Sequence, residues 1–144
     1  MDIVTLIVAA EEDEYAALGE SSQPLAEWSG IETPGIDTAK IVTLHCLLTG
    51  DPFADALGLY EPVYIAEGHA VVLRLSSGAL ERLQAIDDDV VALLAEELAA
   101  SEAFESAQWK NDEVHSLLRE LAGLARLAES QGQALFVWLH PLLE

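Results

Sequence analysis

Hydrophobic positions along this chain recur at two spacings, one suited to strands and one to helices. Asp2–Ala10 carries Ile3, Val4, Leu6, Ile7 and Val8 and has no charge after Asp2. Its β-branched content predicts a buried or half-buried strand over Asp2–Ala9. Glu11, Glu12, Asp13 and Glu14 follow at once, then Tyr-Ala-Ala-Leu-Gly. The four acids predict the start of a short helix, favoured by its dipole, with Gly19 at its end. Residues 20–37 hold Ser21, Ser22, Pro24, Gly30, Pro34 and Gly35 and read as a loop, with Trp28 packing it onto the core. Thr38–Thr49 predicts a helix, with Ile41, Leu44 and Leu48 at helical spacing, Thr38 as cap and Gly50 at the C′ position. Residues 50–62 read as a connection containing two prolines. Val63–Ala66 and Ala70–Leu75 flank Glu67-Gly68-His69 and predict a hairpin.

From Ser76 onward the pattern turns helical. Ser76-Ser77-Gly78 opens a helix through Ile86, with Leu80, Leu83 and Ile86 on one face. Asp87-Asp88-Asp89 breaks it and supplies the N-terminal charge of the next helix, Val90 to about Phe104. Val90, Leu93, Leu94 and Leu98 predict the apolar stripe of that helix, with Glu96 and Glu97 turned away. Asn111 or Asp112 starts the last helix, which runs to about Gln131. Val114, Leu117, Leu118, Leu121, Leu124, Ala125 and Ala128 cover more than one face, so this helix is expected to be central. After Gly132, Ala134–Leu139 is uninterrupted apolar and predicts a strand buried on both faces. Strands at both ends with helices between them predict an α+β fold: helices packed on one small mixed sheet that includes both chain ends.

Composition narrows the function. The 144 residues include 6 Lys and Arg against 26 Asp and Glu, a formal charge of −20, while 51% are hydrophobic and mean hydropathy is +0.26. The length suits one domain over 1–144, since domains commonly run to about 100–150 residues. Direct nucleic-acid binding is disfavoured because phosphate contacts need clustered Lys and Arg. Attraction to an anionic membrane surface fails on the same sign. Cys46 stands alone and cannot form an internal disulfide. With no positive n-region before the first apolar run, the chain reads as cytoplasmic.

Three segments together resemble the YfbM-like family, bacterial proteins of about this size whose name records no known activity. Leu44-His45-Cys46-Leu47-Leu48-Thr49-Gly50 is similar to the family's Leu-His-x-x-Leu-Thr-Gly at a helix end. Arg74-Leu75-Ser76-Ser77-Gly78-Ala79-Leu80 is similar to its strand-to-helix junction. Gly132-Gln133-Ala134-Leu135-Phe136-Val137-Trp138-Leu139 is similar to its closing glycine and apolar strand. Order and rough spacing hold over residues 36–144, although Ile41 stands at the position where the family usually has Trp. The resemblance implies an α+β fold in a non-secreted bacterial protein. It carries over no catalytic residue.

Candidate chemistry is sparse. His45 and Cys46 are adjacent, and helix neighbours diverge by roughly 100°, so they cannot form a dyad by themselves. The histidines His45, His69, His115 and His140 are scattered singly, and no acidic calcium loop, phosphate loop or nucleophile elbow appears, so neither metal nor cofactor is implied. Charge is the stronger signal, because residues 1–39 contain nine acids and no Lys or Arg. Self-repulsion at this charge disfavours the compact state, while a one-signed surface speeds encounter with an oppositely charged partner. The leading expectation is a non-enzymatic acidic domain that binds a basic protein, of the kind seen in bacterial immunity proteins that occlude a toxin. Its partner-binding residues are expected to be Glu11, Glu12, Asp13 and Glu14 with Asp87, Asp88 and Asp89. The alternative is a small enzyme or ligand-binding domain with a pocket around Trp28, His45 and Thr49.

Overall fold

The computed structural model describes residues 3–21, 23–67 and 70–141. In chain order these form β1 (Ile3–Ala10), α1 (Tyr15–Glu20), α2 (Pro24–Glu27), β2 (Ser29–Pro34), α3 (Thr38–Thr49), α4 (Phe53–Leu57) and β3 (Tyr64–Ile65). They continue with β4 (Val71–Arg74), α5 (Ser77–Ala85), α6 (Asp88–Ala100), α7 (Glu102–Glu105), α8 (Asn111–Gln131) and β5 (Ala134–Pro141). Asp2 of the expected first strand, Ser22 of the expected loop and Gly68 and His69 of the expected hairpin turn lie outside the described residues.

The five strands form one sheet in the order β2-β1-β5-β4-β3, so the strands nearest the two chain ends lie side by side in its middle. Leu6 stands opposite Trp138 and Val8 opposite Phe136. The hairpin expected from Val63–Ala66 and Ala70–Leu75 is β3 paired with β4. Every pairing is antiparallel, which corrects the expected mixed sheet. The connections explain this. Arg74 at the end of β4 lies opposite Phe136 near the start of β5, and the Leu75 N–H donates to the Leu135 carbonyl at 2.9 Å. The helical excursion from α5 to α8 therefore leaves and re-enters the sheet at one end, and β5 must run back alongside β4.

Alternation along the strands separates two layers. Ile7, Leu73, Val137 and Leu139 join the larger core with residues of α3, α5, α6 and α8. Leu6, Val8, Val72, Phe136 and Trp138 join a smaller core with Leu18, and Trp28 and Tyr64 pack against its rim. The apolar run of β5 is thus buried on both faces, as its pattern predicts. The broad apolar face of α8 is buried from Val114 to Ala128, which makes it the central helix. No helix of the described residues is long and apolar enough to cross a membrane.

Several local expectations are corrected. Part of 20–37 is structured: α2 precedes β2, an edge strand that pairs with β1. Pro34 is acceptable as the last residue of such an edge. The cap of α3 is Asp37, whose carboxylate accepts from the Lys40 N–H at 3.0 Å, and Thr38 is the first helical residue. The connection 50–62 contains α4. The helix expected to reach Phe104 stops at Ala100, where extended Ser101 separates α6 from α7. Of the expected stripe Leu98 is buried and Leu94 half-buried, whereas Val90 and Leu93 are exposed and Val91 and Ala95 complete the buried row. The i, i+4, i+7 row with a small central alanine is the one turned into the core that α6 shares with α8.

Gly19 does not end α1 but lies buried inside it. A Cβ there would come within 2.8 Å of Tyr64 Cε2 and 3.3 Å of Val72 Cγ2. Glycine is therefore set by the approach of the Tyr64 ring and not by backbone conformation. In an open helix Gly→Ala stabilises by roughly 0.5–1 kcal/mol. Gly19→Ala is expected to reverse that sign and destabilise by about 1–3 kcal/mol through overpacking. A urea midpoint that rises in the variant would show that the ring moves aside freely.

Candidate functional site

His45 lies on the last two turns of α3 and is 1% exposed. A buried imidazole needs partners for both nitrogens, and three other segments supply them. Asp51, just beyond the left-handed Gly50 cap, places Oδ2 2.7 Å from Nε2. Tyr60, which closes the connection after α4, places its hydroxyl 2.9 Å from Nδ1. Ser76, the N-cap of α5, places Oγ 3.0 Å from the same nitrogen. A carboxylate can only accept, so the network assigns the proton to Nε2, which donates to Asp51. Nδ1 then accepts from the two hydroxyls. The Tyr60 hydroxyl accepts from the Ser76 N–H at 3.2 Å, and Ser76 Oγ accepts from the Ala79 N–H at 3.2 Å. The Tyr60 ring meets the imidazole edge to face at 5.4 Å. Thr49 closes the corner: its hydroxyl donates to the His45 carbonyl at 2.9 Å and accepts from the Asp51 N–H at 3.2 Å.

Electrostatics follow these contacts. The hydrogen bond from His45 holds the Asp51 carboxyl below the usual carboxylate range. Burial pushes the Tyr60 hydroxyl up. Burial, aided by the Asp51 charge, raises the Cys46 thiol, so its reactive thiolate is disfavoured. Ser76, His45 and Asp51 lie in the order of a nucleophile, base and orienting acid, though every polar atom of the ring is already engaged. Among the described residues, no group of three or more His, Cys, Asp or Glu is placed to hold a metal ion.

The expected pocket is divided by the sheet. His45 and Thr49 lie together, but Trp28 packs against the smaller core on the other face. The cause is the alternation of β1 and β5, whose even-numbered side chains Leu6, Val8, Phe136 and Trp138 define that second layer. Asp51, Tyr60 and Ser76 were not singled out by sequence. Two of them carried a local signal, Asp51 beside the Gly50 cap and Ser76 as a helix N-cap, but only the fold brings them to the ring.

Glu11, Glu12 and Asp13 are exposed in the turn after β1, with Glu14 at the N-cap of α1. The Glu14 carboxylate accepts from the Glu11 N–H at 2.8 Å, and Glu12 pairs with Arg74. Asp87 caps α6 by accepting from the Val90 N–H at 3.0 Å, Asp88 stands 3.9 Å from Arg119, and Asp89 is exposed. Lys40 is buried against Asp37, and Arg126 donates to the Gln84 and Ile86 carbonyls. Among the described residues, Glu12, Asp37 and Asp88 are thus the carboxylates that face a Lys or Arg within 4.0 Å.

No protein-family model matches the chain, and no curated protein matches it. Among solved structures, the fold resembles YfbM from Escherichia coli, a protein of unknown function, with a TM-score of 0.47 and 14% identity, covering 94% of this chain and 99% of that one.

Proposed function

We propose that this protein is an acidic binding domain for a basic protein and acts by occlusion rather than by chemistry. The supporting observation is how its cations are used. Among the described residues, four of the six Lys and Arg, namely Lys40, Arg74, Arg119 and Arg126, are turned to carboxylates or carbonyls of the same chain, and the carboxylates other than Glu12, Asp37 and Asp88 have no Lys or Arg within 4.0 Å. A surface of one sign steers a basic partner and places carboxylates where a polyanion's phosphates would lie. A toxin that acts on polyanions is the class of partner this suits, and the role is then that of an immunity protein.

Affinity capture from the source cells at low salt, followed by mass spectrometry, is expected to recover a basic protein that salt releases. With that partner, Glu11→Lys with Asp13→Lys is the informative double reversal, because neither side chain caps a helix or pairs with a cation. Association is expected to slow by about tenfold or more at low salt and to lose much of its salt dependence, since rim charges act chiefly on encounter. Folding should be unchanged. Identical association rates across the salt series would remove this cluster from the binding surface.

The Ser76–His45–Asp51 chain supports a second reading, acyl transfer with Ser76 as nucleophile and His45 as base. A fluorophosphonate probe labelling Ser76 in the wild type but not in His45→Ala would favour it. Occlusion is the better supported, because Ser76 Oγ already accepts the Ala79 N–H and Tyr60 shares Nδ1.

A further inference from the structure

We propose that the segment from Phe53 to Ile65 is the docking surface for a basic partner, and that it receives a cationic segment carrying apolar side chains. This rests on the acidic-binding reading above and adds where the contact lies and what else it recognises. Single exposed apolar side chains are ordinary on a protein surface, but a concentration of them marks an interaction site. The described residues have nine exposed large hydrophobic side chains, and five of them, Phe53, Leu57, Leu59, Val63 and Ile65, fall in this one segment. Leu59 is 55% exposed and Ile65 66%.

Their exposure is imposed by the anchoring of the segment. Ala56, Tyr60 and Ala66 point inward and are buried, and Tyr64 packs over Gly19, so the residues between them must face out. Phe53 and Leu57 share one face of α4, four residues apart, and Val63, just before β3, is two residues from Ile65 within it. The segment is also held in shape. Asp51 before it and Tyr60 within it both bond the His45 ring, and β3 pairs with β4. A surface ordered in advance loses less entropy on binding.

Charge identifies the occupant. Asp55 and Glu61 are exposed within the segment and Asp51 and Glu67 beside its two ends, and no Lys or Arg occurs between Lys40 and Arg74. β3 is an outer strand of the sheet, so a second copy could also be imagined to pair there. Two chains of charge −20 repel each other, whereas a cationic partner is attracted.

The test uses the intact protein and two synthetic probes, an amphipathic lysine–leucine peptide and an oligolysine of equal charge. Affinities are measured by fluorescence anisotropy at low and high salt. The wild type is expected to prefer the amphipathic peptide by about tenfold or more, the scale of truncating an interface anchor. Leu57→Ser with Leu59→Ser should erase that preference while leaving oligolysine binding and the melting temperature unchanged. Val90→Ser with Leu93→Ser, on the exposed side of α6, should keep it. Amide exchange should slow over 51–67 when the amphipathic peptide binds. A preference that survives the first pair, or is lost with the second, overturns the surface but leaves the acidic reading standing. Failure of both peptides to bind at low salt overturns the acidic reading itself. Sedimentation showing a dimer that the first pair dissolves would assign the surface to a second copy and overturn the proposal.

Discussion

Replacing Trp138 by alanine is expected to lower the unfolding free energy by about 3–5 kcal/mol, the range for large aromatic truncations in cores. The indole is 7% exposed and stands between Leu6 of β1 and Val72 of β4, in the middle of the sheet. It fills the smaller core with Leu6, Val8, Val72 and Phe136. Its Nε1 has no hydrogen-bond partner among the described residues, so the loss is one of packing and not of a polar contact. Trp138→Phe keeps most of the volume and removes the unpaired donor, and should therefore cost much less than alanine. Urea unfolding decides the matter if the slope is the same for all three proteins. A midpoint almost unchanged in Trp138→Ala would mean that the thin layer of α1 and α2 closes over the gap, or that the indole faces a partner.

His45→Ala should be nearly as severe and more local in its signature. It removes an imidazole that is 1% exposed and leaves the Tyr60 and Ser76 hydroxyls without their shared acceptor. Each stranded polar group costs about 1–3 kcal/mol, and the vacated volume adds to this, so a loss on the order of 3–5 kcal/mol is expected. Amide exchange should quicken first over 51–60, because both tethers of that stretch end on the ring. Acid titration separates out the Asp51 contribution. Its carboxyl is held below the ordinary value by the His45 bond, so the folded state binds the proton more weakly than the unfolded chain. The stability it contributes is present above the ordinary carboxylate range and is lost as pH falls through the lowered folded value. Asp51→Asn should therefore flatten the acid limb of the stability curve while changing little in how it responds above neutrality. An acid limb identical in wild type and variant would show that the Asp51–His45 bond does not form in solution.

Much of this architecture is written locally. Gly50 and Gly132 adopt the left-handed conformation where glycine ends α3 and α8, Ser76 and Asp87 cap α5 and α6, and the apolar run of β5 predicts burial on both faces. Caps and periodicity depend on residues within a turn or two, which is why those elements can be read along the chain. Tertiary structure decided the rest. β2 is a strand because β1 offers it an edge, although Gly30 and Pro34 look like loop signals. The buried row of α6 is Val91, Ala95 and Leu98 because of what it packs against, since Val90 and Leu93 are equally apolar. Trp28 parts from His45 because the sheet runs between them. His45 stood out in the sequence, but Tyr60 lies 15 residues and Ser76 31 residues away along the chain, and no local rule joins them. Short-range order is set by capping and period, whereas the face a side chain presents and the partners of a buried polar group depend on contacts between segments far apart in sequence.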